Sequence, residues 1–386
     1  MNPRPLGNMP ADQFLSEYWQ KKPLLIRNAL PDIKSPVDAD VLAGLACEEA
    51  VESRLIIRQG EEWELQHGPF NDELFSTLPK ENWTLLVQAV DQCIPKAADM
   101  LELFDFIPRW RIDDLMMSYA NHGGGVGPHF DQYDVFLVQT SGQRKWEVGG
   151  TYDDTSSIRE NLPVKILDHF VATESWVLNP GDILYLPPGI GHNGIAQGDG
   201  CITCSVGFRA PSHAEILRDY TDYIGDQLTE SLRYQDLDLK KQVNSGEIST
   251  HTFEKIQQIV STYTQDSEAL RHWFAKYVTT PKYQQVNDIE HSESEQTYSI
   301  PQIKHHLASN HCLIRNEGSR FAFVTGSKDH MLFVDGQLIE TNANCNELIE
   351  LLCSKIKIQS KDFIQSENNF ALLLTLLNHS SLYLTQ

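Results

Sequence analysis

Two histidines and one aspartate in the first half of the chain have the residue types and local sequence expected of metal ligands. His129 and Asp131 lie two positions apart, after the glycine-rich segment Gly123–Gly127, and His192 follows a Pro-Gly segment that begins at Pro180. Two imidazoles and one carboxylate leave half of an octahedral iron ion open to substrates. Because alternate side chains of a strand point the same way, His129 and Asp131 in a strand can share one metal ion. The pattern predicts a mononuclear iron site.

A cation suited to a dicarboxylate co-substrate follows at Arg144. The apolar run Val135–Gln139 ends at Ser141-Gly142, which predicts a strand, a turn and a second strand, with Arg144 on the strand paired with the ligand-bearing one. Iron with three open positions can bind 2-oxoglutarate through two oxygens and keep one position for O₂. The far carboxylate then needs a buried cation, which a guanidinium binds bidentately. An exposed charge at the strand edge is the alternative interpretation. Lys145 is the nearest rival, but we expect its side chain on the opposite face.

Longer blocks of the sequence resemble the JmjC-type 2-oxoglutarate oxygenases of the cupin superfamily, and especially the bacterial ribosomal oxygenases. The blocks that carry this resemblance are Phe14–Trp19, Lys21–Arg27, Trp110–Ser118, Gly124–Phe136 and Ser205–Pro211. The resemblance implies that iron(II) and 2-oxoglutarate bind first, followed by a protein substrate and O₂. Decarboxylation of 2-oxoglutarate to succinate would then accompany hydroxylation of an unactivated carbon. The implied substrate is an arginine side chain of large-subunit ribosomal protein sixteen.

The resemblance also implies roles for individual side chains. The implied iron(II) ligands are His129, Asp131 and His192. The implied 2-oxoglutarate contacts are Arg144, Ser118 and Thr203. Thr203 departs from the family pattern, because relatives often carry an amide side chain near this point to help hold the co-substrate or the metal ligands.

A third group is implied to bind the substrate side chain. Its members are Asp114, Met116, Tyr133, Ser205 and Phe208. Asp114, Met116 and Ser118 alternate along one face of a predicted strand, so the carboxylate can bind a guanidinium while the methionine contacts the alkyl stem. Structural hydrogen bonding is the alternative role for Asp114 and Ser118. Two further carboxylates, Asp113 and Asp134, are expected to face away.

The composition is compatible with a cationic protein partner. The chain has 386 residues and a formal net charge of −22, from 53 acidic and 31 basic residues. This length predicts two or three domains. An acidic surface repels nucleic acid and anionic membranes and attracts basic proteins. We expect a reduced, cytoplasmic protein, because its seven cysteines are scattered and neither a signal peptide nor a membrane span is evident.

Residues 1–210 are predicted to form the catalytic domain. A helix over Ala11–Trp19 precedes a mixture of short helices and strands. Beyond Arg111, strands separated by Gly, Pro and Asn turns have the pattern of an antiparallel barrel. The resemblance implies that this barrel is a double-stranded β-helix of the JmjC/cupin type. The expected fold class is α+β, with a helical dimerisation domain and a winged-helix-like domain after the barrel.

Residues 211–290 are predicted to form a three-helix dimerisation domain. Ser212 and Glu215 have the spacing of a capping box that starts the first helix. Large apolar residues recur at helical spacing in all three segments, and helices of this size cannot bury such faces alone. A homodimer is therefore expected, as the resemblance also implies. Packing of the helices against the barrel of the same chain is the alternative.

Residues 291–386 are predicted to form a winged-helix-like domain. Helices at Ile300–Leu307, Asn346–Lys355 and Asn368–Asn378 accompany a strand at Phe321–Val324 and a hairpin at Met331–Ile339 with an Asp-Gly turn. This region has ten acidic and seven basic residues, a net charge of −3. Direct DNA binding is not expected, because it requires a basic face that displaces counterions.

Three alternatives to arginine hydroxylation remain open at the level of sequence. The same chemistry can act on a histidyl or lysyl side chain, because the shape of the pocket and not the ligand set selects the target. The barrel can be a non-catalytic binding module. It can also be a zinc or manganese cupin, such as an isomerase, since ligand type alone does not select the metal.

Overall fold

The computed structural model describes residues 4–283, 297–341 and 344–385. The first part of the chain contains eleven strands and five short helices. The strands are β1 Leu24–Ile26, β2 Ser53–Gln59, β3 Glu62–His67, β4 Trp83–Val87, β5 Ile112–Ala120, β6 Asp134–Ser141, β7 Arg144–Thr151, β8 Ala172–Leu178, β9 Ile183–Leu186, β10 Ile190–Ala196 and β11 Cys201–Phe208. The helices are α1 Ala11–Glu17, α2 Ala39–Leu45, α3 Glu73–Thr77, α4 Val90–Cys93 and α5 Pro95–Leu101.

These strands form two antiparallel sheets, as the predicted barrel requires. The large sheet has the order β1-β9-β6-β11-β5-β4-β2-β3, and the small sheet has the order β10-β7-β8. The predicted pairing of the Arg144 strand with the preceding apolar strand is wrong, because β6 and β7 lie in different sheets. The Gly142 turn, at φ +61°, carries the chain from one sheet to the other. Strand β7 instead pairs with β10, the strand that contains His192.

One face of the large sheet is buried by the N-terminal helices. Phe14 of α1 packs edge-on against Tyr185 of β9 at a ring-centroid distance of 4.9 Å, and Phe136 of β6 lies 4.8 Å from Phe104. Burial of such side chains contributes about 1.5–3 kcal/mol each. Asp134 lies in this same layer, where it accepts a hydrogen bond from the Tyr185 hydroxyl at 2.6 Å, so it faces away from the barrel interior as predicted. The opposite face of the sheet is left to line a cavity.

Three helices follow the barrel at the predicted positions: α6 His213–Gly225, α7 Thr250–Thr264 and α8 Ser267–Thr279. The capping box of Ser212 and Glu215 is present. Helix α8 contacts α6 and the C-terminal part, since the Trp273 ring lies 5.1 Å from that of Tyr220 in α6 and His272 lies edge-on to Phe333. The predicted boundary between residues 290 and 291 lies outside the described residues. Across the described part of the chain, no helix is long and apolar enough to cross a membrane.

The C-terminal part has the predicted winged-helix-like arrangement and its own hydrophobic core. Its elements are α9 Ile300–Ala308, β12 Leu313–Arg315, β13 Phe321–Thr325, β14 His330–Val334, β15 Gln337–Ile339, α10 Asn346–Ser354, β16 Lys357–Ile358, α11 Glu367–Asn378 and β17 Leu382–Leu384. The Asp335-Gly336 turn between β14 and β15 has positive φ at both residues, as a tight hairpin requires.

Candidate metal centre and active-site cavity

The predicted metal ligands converge, but two of them lie outside a regular strand. His129 forms only an isolated bridge with His192, through His129 N–H to His192 O at 3.0 Å and His192 N–H to His129 O at 2.8 Å. The prediction that the His-x-Asp pair lies on a strand is therefore wrong, and β6 begins only at Asp134. Pro128 has no N–H to donate and Gly127 adopts φ +83°, so the ladder cannot extend through them. Asp131 is held separately, because its carbonyl accepts a hydrogen bond from the Gly189 N–H at 2.7 Å.

The three side chains form the His-Asp-His cluster whose ligand atoms all lie within 4.8 Å of one another. The Oδ2 atom of Asp131 is 4.0 Å from His129 Nε2 and 3.6 Å from His192 Nε2. His192 is buried, whereas His129 and Asp131 are about one quarter exposed on the cavity side. Among the described residues this is the one group of three or more such side chains with metal-binding spacing.

Hydrogen bonds prepare both imidazoles to bind a metal through Nε2. His129 Nδ1 lies 2.9 Å from the Gly127 carbonyl oxygen, and His192 Nδ1 lies 2.9 Å from the Ile190 carbonyl oxygen. A carbonyl can only accept, so each Nδ1 carries the proton and each Nε2 presents its lone pair to the shared space. Burial, with a further contribution from His129, lowers the pKa of His192 to about 4. His192 is therefore neutral near pH 7, as a metal ligand must be.

A cavity of about 520 Å³ opens beside this cluster and extends to Arg144. Arg144 is only 3% exposed, and its Nε and Nη2 atoms have no hydrogen-bond partner. The ring of Trp146 lies 5.8 Å from the guanidinium carbon. A buried cation with unpartnered donors is costly unless an anion pairs with it. The residues therefore fit iron(II) at the His-Asp-His cluster and a dicarboxylate such as 2-oxoglutarate between it and Arg144.

The choice of Arg144 over Lys145 follows from strand alternation, as predicted. Arg144, Trp146 and Val148 are buried on the inner face of β7. Lys145 lies on the outer face, 38% exposed, and its Nζ is 2.7 Å from Glu147 Oε1. The interpretation of Arg144 as an exposed strand-edge charge is wrong, because its side chain is directed into the cavity.

Ser118 and Thr203 face each other across β5 and β11 in the cavity wall. The Ser118 hydroxyl lies 3.5 Å from the Thr203 carbonyl oxygen, a weak hydrogen bond. The Thr203 hydroxyl donates to Gln139 Oε1 at 3.0 Å. Gln139 lies on β6 directly beside Thr203 on β11. Its side-chain amide is therefore next to the position where the resemblance implies an amide in relatives. Contact of Ser118 and Thr203 with 2-oxoglutarate stays a prediction.

The predicted substrate residues divide between the cavity and the core. Asp114, Met116, Tyr133 and Ser205 line the cavity. Phe208 does not belong with them, because its ring packs 5.4 Å from Trp19 in the hydrophobic core and is fully buried there. Strand alternation explains the difference: positions 203, 205 and 207 of β11 face inward, whereas 204, 206 and 208 join the core.

Asp114 is the most constrained of these side chains. Its Oδ2 atom accepts hydrogen bonds from Gln88 Nε2 at 2.7 Å, Ala89 N–H at 3.1 Å and the Tyr283 hydroxyl at 3.1 Å. The carboxyl group is 4% exposed, and burial, together with the charge of Asp113, raises its pKa. Hydrogen bonding of the kind proposed as its alternative role is thus present, but it engages one oxygen. The other oxygen, Oδ1, faces Gly207 on the cavity wall.

Several cavity residues were missed by sequence reasoning. The missed residues include Arg54, Gln88, Trp146, Gly207 and Lys282. Trp146 and Gly207 follow from the same alternation that placed Arg144 and Ser205, so the sequence contained that signal. Lys282 lies beyond α8 in the sequence and donates a hydrogen bond to Asp113. Both residues line the cavity, so Asp113 does not face fully away from it as expected.

The sequence and the fold are similar to those of known oxygenases. Residues 99–216 match the JmjC domain family, and residues 261–383 match the ROXA-like winged-helix family. The chain is 32% identical over 371 residues to the ribosomal protein uL16 3-hydroxylase of Escherichia coli strain K12, covering 95% of each chain. It is 34% identical over 307 residues to a probable ribosomal oxygenase of Haemophilus influenzae, covering 74% of this chain and 73% of that protein.

A solved structure extends the similarity to nearly the whole chain. The structure of YcfD, a ribosomal oxygenase from Escherichia coli in complex with cobalt and 2-oxoglutarate, aligns with a TM-score of 0.84 at 30% identity. The alignment covers 98% of this chain and 99% of that chain. The winged-helix match begins inside α7, so it overlaps the helical region.

Proposed function

The chain belongs to the JmjC-type ribosomal oxygenase family, and we propose that it hydroxylates an arginine side chain of the large-subunit ribosomal protein uL16. The enzyme is a metal- and 2-oxoglutarate-dependent oxygenase, as the family and the His-Asp-His site indicate. The relative from Escherichia coli is named as a uL16 hydroxylase, which supports the ribosomal protein as target. The choice of arginine rests on the cavity of this chain.

The residues of the chain divide the chemical work between three parts of the cavity. When bound, iron(II) and 2-oxoglutarate activate O₂ for hydroxylation of an unactivated carbon. His129, Asp131 and His192 would hold the metal, and Arg144 would neutralise the far carboxylate of the co-substrate. The chain itself needs no nucleophile or general base for this reaction. Its contribution is to orient the partners and to keep the reacting carbon in a cavity shielded from water.

The buried carboxylate of Asp114 is the observation that carries the arginine assignment. It lies in the wall of the same cavity as the metal cluster, with Oδ1 on the cavity side. Met116 and Tyr133 provide apolar surface in that wall, which suits the alkyl stem of an arginine. A carboxylate binds a guanidinium through charge-assisted, bidentate hydrogen bonds, and such pairs are specific in geometry.

The test is to incubate the protein with iron(II), 2-oxoglutarate and purified uL16 and to map any added oxygen by tandem mass spectrometry. We expect one arginine of uL16 to gain one oxygen atom, with equimolar succinate formed. The Asp131→Ala variant serves as the control without a complete metal site. Oxygen found on a histidine or lysine would transfer the proposal to another side chain, and no modified residue would reject uL16 as the substrate.

A second copy of the chain is the proposed partner of the helical region. No side chain of α7 is buried, and Phe253, Ile256 and Val260 form an apolar stripe in which they are 60%, 45% and 55% exposed. Leu217 of α6 adds a further exposed apolar side chain. Large apolar side chains exposed to this degree along one helix are unusual on a monomer. Packing on the barrel of the same chain, the alternative from the sequence, does not cover this stripe.

Light scattering coupled to gel filtration tests the dimer. The Ile256→Glu variant places a charge in the stripe, so we expect it to elute with the mass of one chain, whereas the unmodified protein elutes as two. The Gln258→Glu variant adds the same charge to the same helix outside the stripe and should remain dimeric. A monomeric unmodified protein would reject the proposal.

A further inference from the structure

A short segment beyond the barrel reaches the carboxylates beside the active-site cavity. Helix α8 ends at Thr279, and the chain then passes through Lys282 and Tyr283. The Nζ atom of Lys282 is 2.8 Å from Asp113 Oδ2, and the Tyr283 hydroxyl is 3.1 Å from Asp114 Oδ2. Both contacts join residues 169 positions apart in sequence. The helical region therefore contributes directly to the wall of the catalytic domain.

Lys282 and Tyr283 have different effects on the two neighbouring carboxylates. Burial acts to raise the pKa of Asp113, but the hydrogen bond and charge of Lys282, with Arg320 and Arg209, outweigh it and lower that pKa. Asp113 is thus neutralised by cations. Burial and the charge of Asp113 raise the pKa of Asp114. The hydrogen bond from Gln88, the charge of Lys282 and the hydrogen bond from Tyr283 oppose the rise. The hydrogen-bond donors to Asp114 are uncharged, whereas Asp113 is paired with cations, so a cationic ligand that reaches Asp114 would favour its charged form.

The geometry around Asp114 gives the two carboxylate oxygens different tasks. Three donors converge on Oδ2, from Gln88, Ala89 and Tyr283, which fixes the rotation of the carboxylate plane. The Oδ1 atom then faces the space above Gly207, where a Cβ atom would lie 3.7 Å from it and 3.8 Å from Tyr133 Cε2. The glycine thus leaves a slot between a carboxylate oxygen and an aromatic ring. Such a slot suits a planar guanidinium, which can pair with the carboxylate and stack on the ring.

We propose that Tyr283 is a positioning residue for the substrate side chain: its hydroxyl orients Asp114 so that Oδ1 meets the substrate guanidinium in the slot above Gly207. The inference rests on the proposed arginine hydroxylation and assigns part of its substrate selectivity to a residue outside the catalytic domain. Tyr283 acts through Asp114 and touches neither the metal cluster nor Arg144. Tyr283 lines a small pocket together with Val51, Ala89 and Cys93, and replacement by phenylalanine keeps the ring while removing the hydroxyl.

Steady-state kinetics on the full-length protein tests this role, with a uL16 peptide that contains the target arginine. We expect Tyr283→Phe to lower kcat/KM for the peptide about tenfold, mainly through KM, because one hydrogen bond to a charged group is lost. The KM for 2-oxoglutarate should keep its unmodified value. Tyr220→Phe is the matched control, because it removes a hydroxyl that bonds to the Tyr263 and Asp266 carbonyls, remote from the cavity.

A double-mutant cycle separates positioning from general structural support. In an Asp114→Asn background, Tyr283→Phe should lower kcat/KM no further, since both changes remove the same interaction. Additive losses, an unchanged peptide KM in Tyr283→Phe, or an equal loss in Tyr220→Phe would each overturn the inference while leaving arginine hydroxylation standing. Absence of arginine hydroxylation by the unmodified protein would overturn both.

Discussion

Replacing Arg144 by methionine should stabilise the ligand-free protein while removing its affinity for 2-oxoglutarate. Arg144 is 3% exposed, and two of its nitrogen atoms have no hydrogen-bond partner. Such a side chain lowers stability in the ligand-free state and is retained for the ligand that pairs with it. Methionine has a similar length, no charge and no unsatisfied donor, so it fills the same space at lower cost.

The expected magnitudes differ in sign and size. Each buried donor without a partner costs about 1–3 kcal/mol, so the Arg144→Met variant should unfold with a free energy about 2 kcal/mol higher than the unmodified protein. A bidentate pair of a guanidinium and a carboxylate contributes two charge-assisted hydrogen bonds, about 3–6 kcal/mol together. Its loss corresponds to about two to four orders of magnitude in the dissociation constant of 2-oxoglutarate.

Denaturant unfolding with and without 2-oxoglutarate measures both effects. At about one hundred times its dissociation constant, the ligand should raise the unfolding free energy of the unmodified protein by about 2.7 kcal/mol and that of Arg144→Met not at all. Lys145→Met is the matched control, since it removes a partly exposed lysine from the other face of the same strand and should alter neither quantity by more than about 1 kcal/mol. Lower stability of Arg144→Met without ligand, or retained stabilisation by 2-oxoglutarate, would refute the reasoning.

Three further outcomes can be checked on the same protein. His129→Ala and Asp131→Ala should each abolish 2-oxoglutarate turnover while the circular dichroism spectrum and the oligomeric state stay unchanged; turnover at the unmodified rate in both variants would falsify the metal assignment. Gly207→Ala should fold normally, because the added methyl lies 3.7 Å from Asp114 Oδ1, yet raise the peptide KM about tenfold by filling the slot, and an unchanged KM would contradict the slot. Burial and the charge of Asp114 raise the pKa of Asp91 from 3.8 to about 7, so the folded state holds a proton that the unfolded chain releases, and stability falls as pH rises between these values. The free energy of unfolding of Asp91→Asn, relative to that of the unmodified protein, should therefore rise by about 1–3 kcal/mol between about pH 5 and about pH 8 in denaturant unfolding. A difference that does not change with pH would argue against the raised pKa.

The sequence was sufficient for features that depend on neighbouring positions. The alternation around Arg144 identified the cation, because side-chain direction along a strand depends only on position. The His-x-Asp spacing and the later histidine identified the cluster, although the pair lies outside a regular strand. The same rule could have excluded Phe208, which lies three positions after Ser205 and so faces the other side of β11. Turn residues gave the strand boundaries near Gly142 but not the partner strands, since a turn between two packed sheets has the same residues as a hairpin turn.

What the sequence could not supply were contacts between distant parts of the chain. Gln88, Asp114 and Tyr283 come from three separate segments, and no local pattern joins them. The position of the Asp114 carboxylate therefore depends on three parts of the chain: its own strand in the barrel, the segment after β4 that contains Gln88, and the segment after α8 that contains Tyr283. It follows that changes in the segment after α8 should alter the KM for the peptide substrate before they alter the KM for 2-oxoglutarate, because Arg144 and the metal cluster are held by the barrel alone.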